Sequence, residues 1–191
     1  MGPIVLNTAD VIRLTDDDLL RLCEVNEVLH IERDREGNLV LAWISGASTS
    51  VRNATLVAEL EQWNRETGLG EAFLNGGFVL PDGSMRGPKI AWIPTERLGP
   101  FSEEEQEKFL PLCPDFVIEL RSPSDRLVDV RKKMHEWMDN GCRLGWLIDP
   151  IEEKTHVYRE NGENSVVESF DEALSGEEVL PGFVLVLKEL L

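Results

Sequence analysis

The sequence predicts an α/β fold, or an α+β fold with a mixed sheet. Short apolar runs rich in β-branched and aromatic residues alternate with helical patterns, and residues 116–149 have the order strand, helix, strand that is typical of a parallel crossover. The chain has 191 residues, 42% of them hydrophobic, which is enough for one core and too few for two ordinary domains. We therefore predict one domain over residues 1–191, with residues 1–50 as an N-terminal helix plus hairpin extension.

Capping and turn signals mark the elements of the first third of the chain. Thr15 is predicted to be an N-cap, because Asp16 to Asp18 place three carboxylates at the positive end of a helix that runs to about Asn26. The stretch "LHIERDREGNLVLAWI" predicts a hairpin around Gly37-Asn38. "SGASTS" is predicted as a loop, and "VRNATLVAELEQWNRET" as a helix that ends at Gly68.

The rest of the chain has similar signals. "EAFLNGGFVL" and "KIAWIP" predict a hairpin connected by "PDGSMRGP", in which Pro-Asp-Gly favours a turn. "SEEEQEKF" has the form of a capping box, with Ser102 and Glu105 as its partners. "DFVIEL", "LVDVRKKMHEWMDN" and "LGWLID" predict strand, helix and strand, with the helix closed by Gly141. A hairpin around Asn161-Gly162 and the tail "LPGFVLVLKELL" follow.

Charge and cysteine content exclude several classes of protein. The formal net charge is -17, from 36 acidic and 19 basic residues, so the chain as a whole repels phosphates and any attraction must be local. Cys23, Cys113 and Cys142 are too few and too scattered for a disulfide framework, which favours a reducing compartment. No stretch approaches the roughly eighteen apolar residues of a membrane span. We expect a soluble, cytoplasmic protein without a membrane partner.

Two charged residues stand out in the crossover segment. Glu119 interrupts the apolar strand "FVIEL", where a carboxylate is costly unless it is paired, hydrogen-bonded or bound to a metal. The alternative is a strand end that faces water. In the following helix, Lys133 falls on the edge of the apolar stripe and can lean toward the sheet. The alternative is an apolar stem at the edge of the core with its ammonium in solvent. The three histidines share no metal-ligand spacing.

The run "CPDFVIELRSPSDRLVDVRKKMHEWMDNGCRLGWLIDP" resembles the signature segment of the Uma-two family of restriction endonuclease-like proteins, within the PD-(D/E)XK nuclease superfamily. "LHIERDREGNLVLA", "FVLPDGSMRGPKIAWI" and "VLPGFVLVLKEL" resemble the family's early hairpin, its Pro-Asp strand and its closing strand. The resemblance covers nearly the whole chain from about Thr15. It implies a restriction-endonuclease-like core of order α-β-β-β-α-β, with a mixed central sheet flanked by helices.

The resemblance also implies a site. In the superfamily an Asp on one strand and a Glu on the next bind Mg²⁺, and a lysine assists the water that attacks phosphorus. Glu119 matches the glutamate and Glu32 matches an acidic residue of the early hairpin. The usual lysine position holds Arg121, while relatives of this family use a lysine of the following helix, which matches Lys133. The expected aspartate position, after Pro88, holds Lys89.

Lys89 supplies neither an oxygen ligand nor negative charge, so weak or absent Mg²⁺ binding is expected. We predict that Lys89 instead forms an ion pair with Glu119. Rescue by Asp82 is conceivable, although "PDGS" favours a turn role for it, and Asp115 is a further candidate if metal does bind. Lys89 could also be peculiar to this copy of the family.

Two functions remain open at this point. The first is a Mg²⁺-dependent DNA endonuclease with Glu119, Lys133 and Glu32 as its catalytic residues and Glu119 as a metal ligand. The second is a catalytically inactive relative that acts in binding or protein interaction, which Lys89 and the strong acidity favour. The predicted nucleic-acid contacts are the basic residues beside the site: Arg121, Arg126, Arg131 and Lys132. Their alternative role is salt bridging to surface carboxylates. The resemblance also implies a homodimer.

Overall fold

The computed structural model describes residues 2–191. Within them the chain forms five α-helices, two of which are single short turns. They are α1 (Asp16–Glu24), α2 (Ala47–Thr67), α3 (Thr95–Leu98), α4 (Glu103–Gln106) and α5 (Leu127–Asp139). A 3-10 helix, Leu187–Leu190, closes the chain.

Thirteen strands in the described residues form three sheets. They are β1 (Ile4–Leu6), β2 (Leu29–Arg33), β3 (Leu39–Trp43), β4 (Gly70–Leu74), β5 (Phe78–Val79), β6 (Met85–Arg86), β7 (Ile90–Pro94), β8 (Phe116–Leu120), β9 (Leu144–Asp149), β10 (Lys154–Arg159), β11 (Asn164–Val167), β12 (Ala173–Ser175) and β13 (Val184–Val186). The six-stranded sheet has the order β11-β10-β9-β8-β7-β4, and a five-stranded sheet has the order β1-β3-β2-β6-β5. Strands β12 and β13 form a separate pair.

The six-stranded sheet is mixed, which confirms the predicted fold class. Strands β8 and β9 are parallel, while the neighbours of this pair run antiparallel to it. The chain passes from β8 to β9 through α5, as the strand-helix-strand pattern predicted. Helix α5 stops before Gly141, whose φ of 101° is a left-handed conformation that glycine adopts without a steric penalty.

Helices cover both faces of this sheet. On one face, Leu56, Leu60 and Trp63 of α2 pack with Ile118 and Trp146. On the other face, residues of α5 pack with the alternate positions of β8 and β9: Met134 and Trp137 contact the cluster that contains Val117 and Leu147. Because successive strand residues point to opposite faces, Glu119 lies on the same face as Val117, toward α5.

The N-terminal part forms the five-stranded sheet. Helix α1 has the predicted N-cap, and Thr15 and Asp18 form a capping box. The predicted hairpin is present, since β2 and β3 pair antiparallel around Gly37. Residues Ile31 and Leu39 of these strands pack with Leu19 of α1 in a third small core.

Two predictions about connections are wrong. The "SGASTS" segment is not a loop, because α2 begins at Ala47 and places most of that segment in its first turn. The connection between β4 and β7 is not a simple loop either. The two strands do pair, but the chain between them forms a second hairpin, β5 and β6, and β6 bonds to β2 through Arg33 and Met85. Pairing with a distant strand stabilises a segment too short to be recognised by its own pattern.

The other predicted elements are present. Helix α2 ends at Gly68, which has a φ of 65°. Ser102 and Glu105 form the predicted capping box of α4. Strands β10 and β11 form the hairpin around Gly162. The tail contains β13 and the final 3-10 helix.

Candidate functional site

Glu119 is buried near the end of β8, and its carboxylate contacts α5. Only 4% of the residue is exposed, so the water-facing alternative is wrong. The indole Nε1 of Trp137 donates a hydrogen bond to Glu119 Oε1 at 3.0 Å. Lys133 Nζ lies 3.0 Å from the same oxygen. The carboxylate is therefore both hydrogen-bonded and paired, the condition under which a charge is tolerated inside a protein.

Lys133 turns from the edge of α5 into the protein. Its Nζ donates to Glu32 Oε1 at 2.7 Å and to the carbonyl oxygen of Gly87 at 2.8 Å. This arrangement confirms that Lys133 leans toward the sheet, and the alternative with the ammonium in solvent is wrong. Burial would lower the pKa of Lys133, but the charges of Glu119 and Glu32 outweigh burial and raise the pKa above its ordinary value.

Glu32 reaches the same point from β2. Besides Lys133, it accepts hydrogen bonds from the backbone N–H of Gly87 at 3.0 Å and from Arg86 Nη1 at 3.0 Å. Burial would raise the pKa of Glu32, but Lys133 and Arg86 outweigh it and lower the pKa to about 2. The three catalytic residues expected from the family resemblance, Glu119, Lys133 and Glu32, thus lie together.

Arg86 and Glu136 are two members of this network that sequence reasoning missed. Arg86 Nη2 lies 2.6 Å from Glu136 Oε2, and the Arg86 side chain is only 8% exposed. Glu136 is three residues after Lys133, so both lie on the same side of α5. That spacing could have indicated Glu136. Arg86 gave no such signal, because its position depends on the pairing of β6 with β2.

Lys89 lies at the same site but not in the predicted ion pair. Its side chain is half-buried, and among residues 2–191 it has no carboxylate within ion-pair distance. The ladder between β7 and β8 ends where Ile90 faces Ile118, so Lys89 is one residue beyond the last paired position. Lys133 occupies the place beside Glu119 instead. The predicted Lys89–Glu119 pair is therefore wrong.

A cavity of about 670 Å³ connects these residues. Its lining includes the charged residues Glu32, Lys89, Glu119 and Lys133. It also includes Val5 and Val40, which like Glu32 belong to the N-terminal sheet. His30 also lines it. Burial lowers the pKa of His30, and the charge of Lys89 lowers it further. The N-terminal sheet thus forms one wall of the candidate site, although the sequence indicated only an extension.

The four predicted nucleic-acid contacts differ in their ion-pair partners and in whether they line the cavity. Arg121 pairs with buried Asp149 at 2.5 Å, and Arg131 is 3.2 Å from His156. Arg126 is 3.5 Å from Asp129 and lines the cavity. Lys132 also lines the cavity, and within residues 2–191 it makes no ion pair. Arg126 and Lys132 are therefore the two of these four that face the candidate site.

The two alternative candidates for a metal ligand, Asp82 and Asp115, do not line the cavity. Asp82 accepts hydrogen bonds from the backbone N–H and the hydroxyl of Ser84, which confirms its role in the turn. Asp115 pairs with Arg97 at 2.5 Å and does not line the cavity. Its position at the opposite end of β8 from Glu119 explains this separation.

The residues present do not fit a divalent metal. Mg²⁺ requires near-octahedral oxygen coordination at about 2.0–2.1 Å. The part of the chain that the structure describes contains no group of three or more His, Cys, Asp or Glu side chains placed to hold a metal ion. The carboxylates of Glu32 and Glu119 are both directed at Lys133. Lys89 adds a positive charge to the same cavity.

A solved structure with the same fold is the crystal structure of a protein from Anabaena variabilis, titled "a putative nuclease belonging to DUF820". It is 24% identical, covers 93% of this chain and 97% of its own, and has a TM-score of 0.77. The fold is therefore the mixed α/β fold of that protein. The family model named Uma2, described as "Putative restriction endonuclease", matches residues 16–188. The chain belongs to the Uma2 family.

The search of curated proteins found no match. Within the described residues 2–191, no helix is both long and apolar enough to span a bilayer.

Proposed function

We propose that this protein is a DNA-directed member of its nuclease family in which Mg²⁺-dependent cleavage of phosphodiester bonds is impaired. The observation that carries the proposal is Lys89, a cation in the cavity at the position where the family resemblance leads us to expect a metal-binding aspartate. The same cavity is lined by Glu32, Glu119 and Lys133, the three residues that the family resemblance implies are catalytic, which supports the proposal. We infer a nuclease site that has kept these three residues, while the described residues contain no group of three or more His, Cys, Asp or Glu placed to hold a metal ion.

DNA would be attracted by the cationic side of the cavity rather than by the protein as a whole. Lys89 and Lys132 line the cavity, and neither has an ion pair in the described chain. Their ammonium groups are free to contact phosphate oxygens. Because the net charge is -17, we expect phosphate binding to be confined to this region and to weaken as salt is added.

The protonation chemistry of the site also supports impaired cleavage. A general base works best when its pKa lies near the operating pH. The pKa of Glu32 is lowered to about 2, so its carboxylate is a weak base for activating a water molecule. Lys133 is held by two carboxylates, and Glu119 Oε1 accepts a hydrogen bond from Trp137 and forms an ion pair with Lys133. Each of the three expected catalytic side chains is thus hydrogen-bonded or ion-paired to a neighbouring side chain.

The proposal is tested by replacing Lys89 with aspartate. Calorimetry with Mg²⁺ and Mn²⁺ and plasmid nicking are measured on the unaltered protein and on Lys89→Asp. We expect the unaltered protein to bind metal weakly and to leave the plasmid intact, and Lys89→Asp to gain both activities, with metal affinity raised at least about tenfold. The variant adds a third carboxylate to the cavity.

Lys132→Asp is the matched control, because it makes the same charge change in the same cavity at a position where no metal ligand is expected. It should gain neither metal binding nor nicking. Cutting by the unaltered protein in Mg²⁺ would show that cleavage is not impaired. Equal gains in both variants would show that Lys89 is not the cause of the impairment.

The second candidate function is binding without catalysis. It is favoured by the network of Glu32, Lys133 and Glu119, in which the charges are satisfied without a metal. A gel-shift experiment in EDTA separates the two candidates. If Lys89→Asp stays inactive while the unaltered protein binds DNA in EDTA, and Lys132→Ala weakens that binding, the binding function is preferred.

We also propose that the protein acts as a homodimer, since nucleases of the superfamily that the sequence resembles often use two sites to cut two strands, and a two-fold pair is the commonest symmetric assembly. The open edge strand β1 exposes Ile4, Val5 and Leu6, which gives the second copy an edge to pair with. Light scattering after size-exclusion chromatography should give the mass of two chains. A mass of 21.6 kDa, that of one chain, would contradict this part of the proposal.

A further inference from the structure

We propose that the ammonium group of Lys133 is the resident cation of this site and occupies the position that a divalent ion would need. The inference rests on the proposed function, because it concerns the same site. It assigns Lys133 a role different from assisting a water molecule. In this role the lysine neutralises the site in the absence of metal and competes with metal for the same oxygens.

The geometry around Lys133 Nζ supports this role. Three oxygen atoms surround it: Glu32 Oε1 at 2.7 Å, the Gly87 carbonyl at 2.8 Å and Glu119 Oε1 at 3.0 Å. They come from β2, from the segment before β7 and from β8. Lys133 Nζ donates hydrogen bonds to the first two of these oxygens and is the ion-pair partner of the third.

The chemistry of these oxygens is that of a hard cation's ligands. Carboxylate and backbone carbonyl oxygens are what Mg²⁺ and Ca²⁺ take from proteins. Here each of the three points at one nitrogen. Mg²⁺ would need them at about 2.0–2.1 Å, a shorter distance than any of the three, so the same oxygens cannot serve both cations at once.

The charges lead to the same conclusion. The connected network contains three carboxylates, from Glu32, Glu119 and Glu136, and two cations, Lys133 and Arg86. A divalent ion beside Lys133 would add strong like-charge repulsion in a site where the Glu119 side chain is only 5% exposed. A metal that binds these carboxylates must therefore displace the ammonium from them, which the additional carboxylate of Lys89→Asp would favour.

The test removes the ammonium in two ways. Lys133→Ala opens space beside the two carboxylates, and Lys133→Met keeps most of the stem and its packing. Mn²⁺ and Ca²⁺ binding are measured by calorimetry without DNA, and melting temperature is followed in EDTA and in each metal. Lys132→Ala is the matched control, since it removes the neighbouring lysine that also lines the cavity.

We expect both Lys133 variants to melt at a lower temperature than the unaltered protein in EDTA and to regain stability in Mn²⁺. Lys133→Ala should bind Mn²⁺ at least about tenfold more tightly than the unaltered protein does. For the unaltered protein and for Lys132→Ala, adding metal should leave the melting temperature unchanged. A variant that folds only in the presence of Mn²⁺ would give the same support.

The inference is overturned if the unaltered protein binds Mn²⁺ as tightly as Lys133→Ala, or if neither Lys133 variant gains metal binding or metal-dependent stability. These results are independent of DNA. The proposed function fails separately, if Lys89→Asp, with Lys133 intact, neither binds metal nor nicks plasmid and the unaltered protein does not bind DNA.

Discussion

The indole N–H of Trp137 and the ammonium of Lys133 meet at one oxygen of Glu119. A buried carboxylate without such partners would cost several kcal/mol, because it loses its hydration. This cost made Glu119 stand out in the sequence, with a water-facing strand end as the alternative, and its expected catalytic role came from the family resemblance. Helical spacing placed Lys133 at the edge of the apolar stripe but left open whether its ammonium lies in solvent, and the contacts with Glu32 and Glu119 decide this.

Trp137→Phe tests the contribution of the indole donor. The change removes the hydrogen bond to Glu119 and leaves a buried carboxylate with one partner fewer. We expect the free energy of unfolding to fall by about 1–3 kcal/mol more than the loss of packing alone would cause, and urea denaturation measures it.

Trp146→Phe is the matched control for this change. Both indoles are fully buried, but Trp146 Nε1 has no hydrogen-bond partner in the described structure. Trp146→Phe should therefore lose packing alone. Equal losses in the two variants would show that the bond from Trp137 contributes nothing.

At the scale of elements, the parallel unit β8-α5-β9 positions the site. Helix α5 lies close to the sheet because Gly145 in β9, which faces this helix, has no side chain. A Cβ at Gly145 would lie 2.5 Å from Met134 Cε and 3.5 Å from Val117 Cγ2. Strand β4 approaches β7 in a similar way at Gly70, where a Cβ would meet the carbonyl oxygen of Ile93 and the ring of Trp92.

The two glycines should respond differently to substitution by alanine. Overpacking a core typically costs about 1–3 kcal/mol. We expect Gly145→Ala near the lower end, since the flexible end of Met134 can move, and Gly70→Ala at or above the upper end, since backbone cannot. Thermal denaturation of the two variants measures the difference. A larger loss for Gly145→Ala would mean that α5 cannot yield, and would reverse this ranking.

The sequence predicted helix α1 and the hairpin of β2 and β3, but it did not predict which other elements they contact. Thr15 and Gly37 gave α1 and the hairpin that follows, because caps and turns are local. That β2 also pairs with β6, and so brings Glu32 to Lys133, was not predictable from those signals. The register involves residues more than fifty positions apart.

At the scale of the whole molecule, the buried charge network couples stability to pH. The pKa of Glu32 is about 2 in the folded protein, below the ordinary value of 4.5. A lowered carboxyl pKa gives stability that is present above about pH 4.5 and is lost as the pH falls toward 2. The contribution is at most roughly 3 kcal/mol for a shift of this size.

Glu32→Gln tests this coupling. The variant should be less stable than the unaltered protein at pH 6, and the difference in the free energy of unfolding should shrink as the pH is lowered from 5 to 2.5. Urea denaturation across this range measures it. Glu36→Gln, an exposed change of the same charge at the cavity, corrects for the general loss of negative charge. A difference that is independent of pH would show that Glu32 does not carry the effect.

The sequence by itself determined the mixed α/β class, the strand-helix-strand unit, the capped helices and the roles expected for Glu119, Lys133 and Glu32. The class and the elements follow from local patterns, and the expected roles follow from the resemblance of two separate segments to the family. Only the tertiary structure decided that Lys133 rather than Lys89 pairs with Glu119, that Arg86 and Glu136 complete the network, and that the N-terminal sheet walls the cavity. Those contacts depend on pairing between strands that are distant in the sequence. The chain contains 36 acidic and 19 basic residues, and only that pairing determines which of them come together.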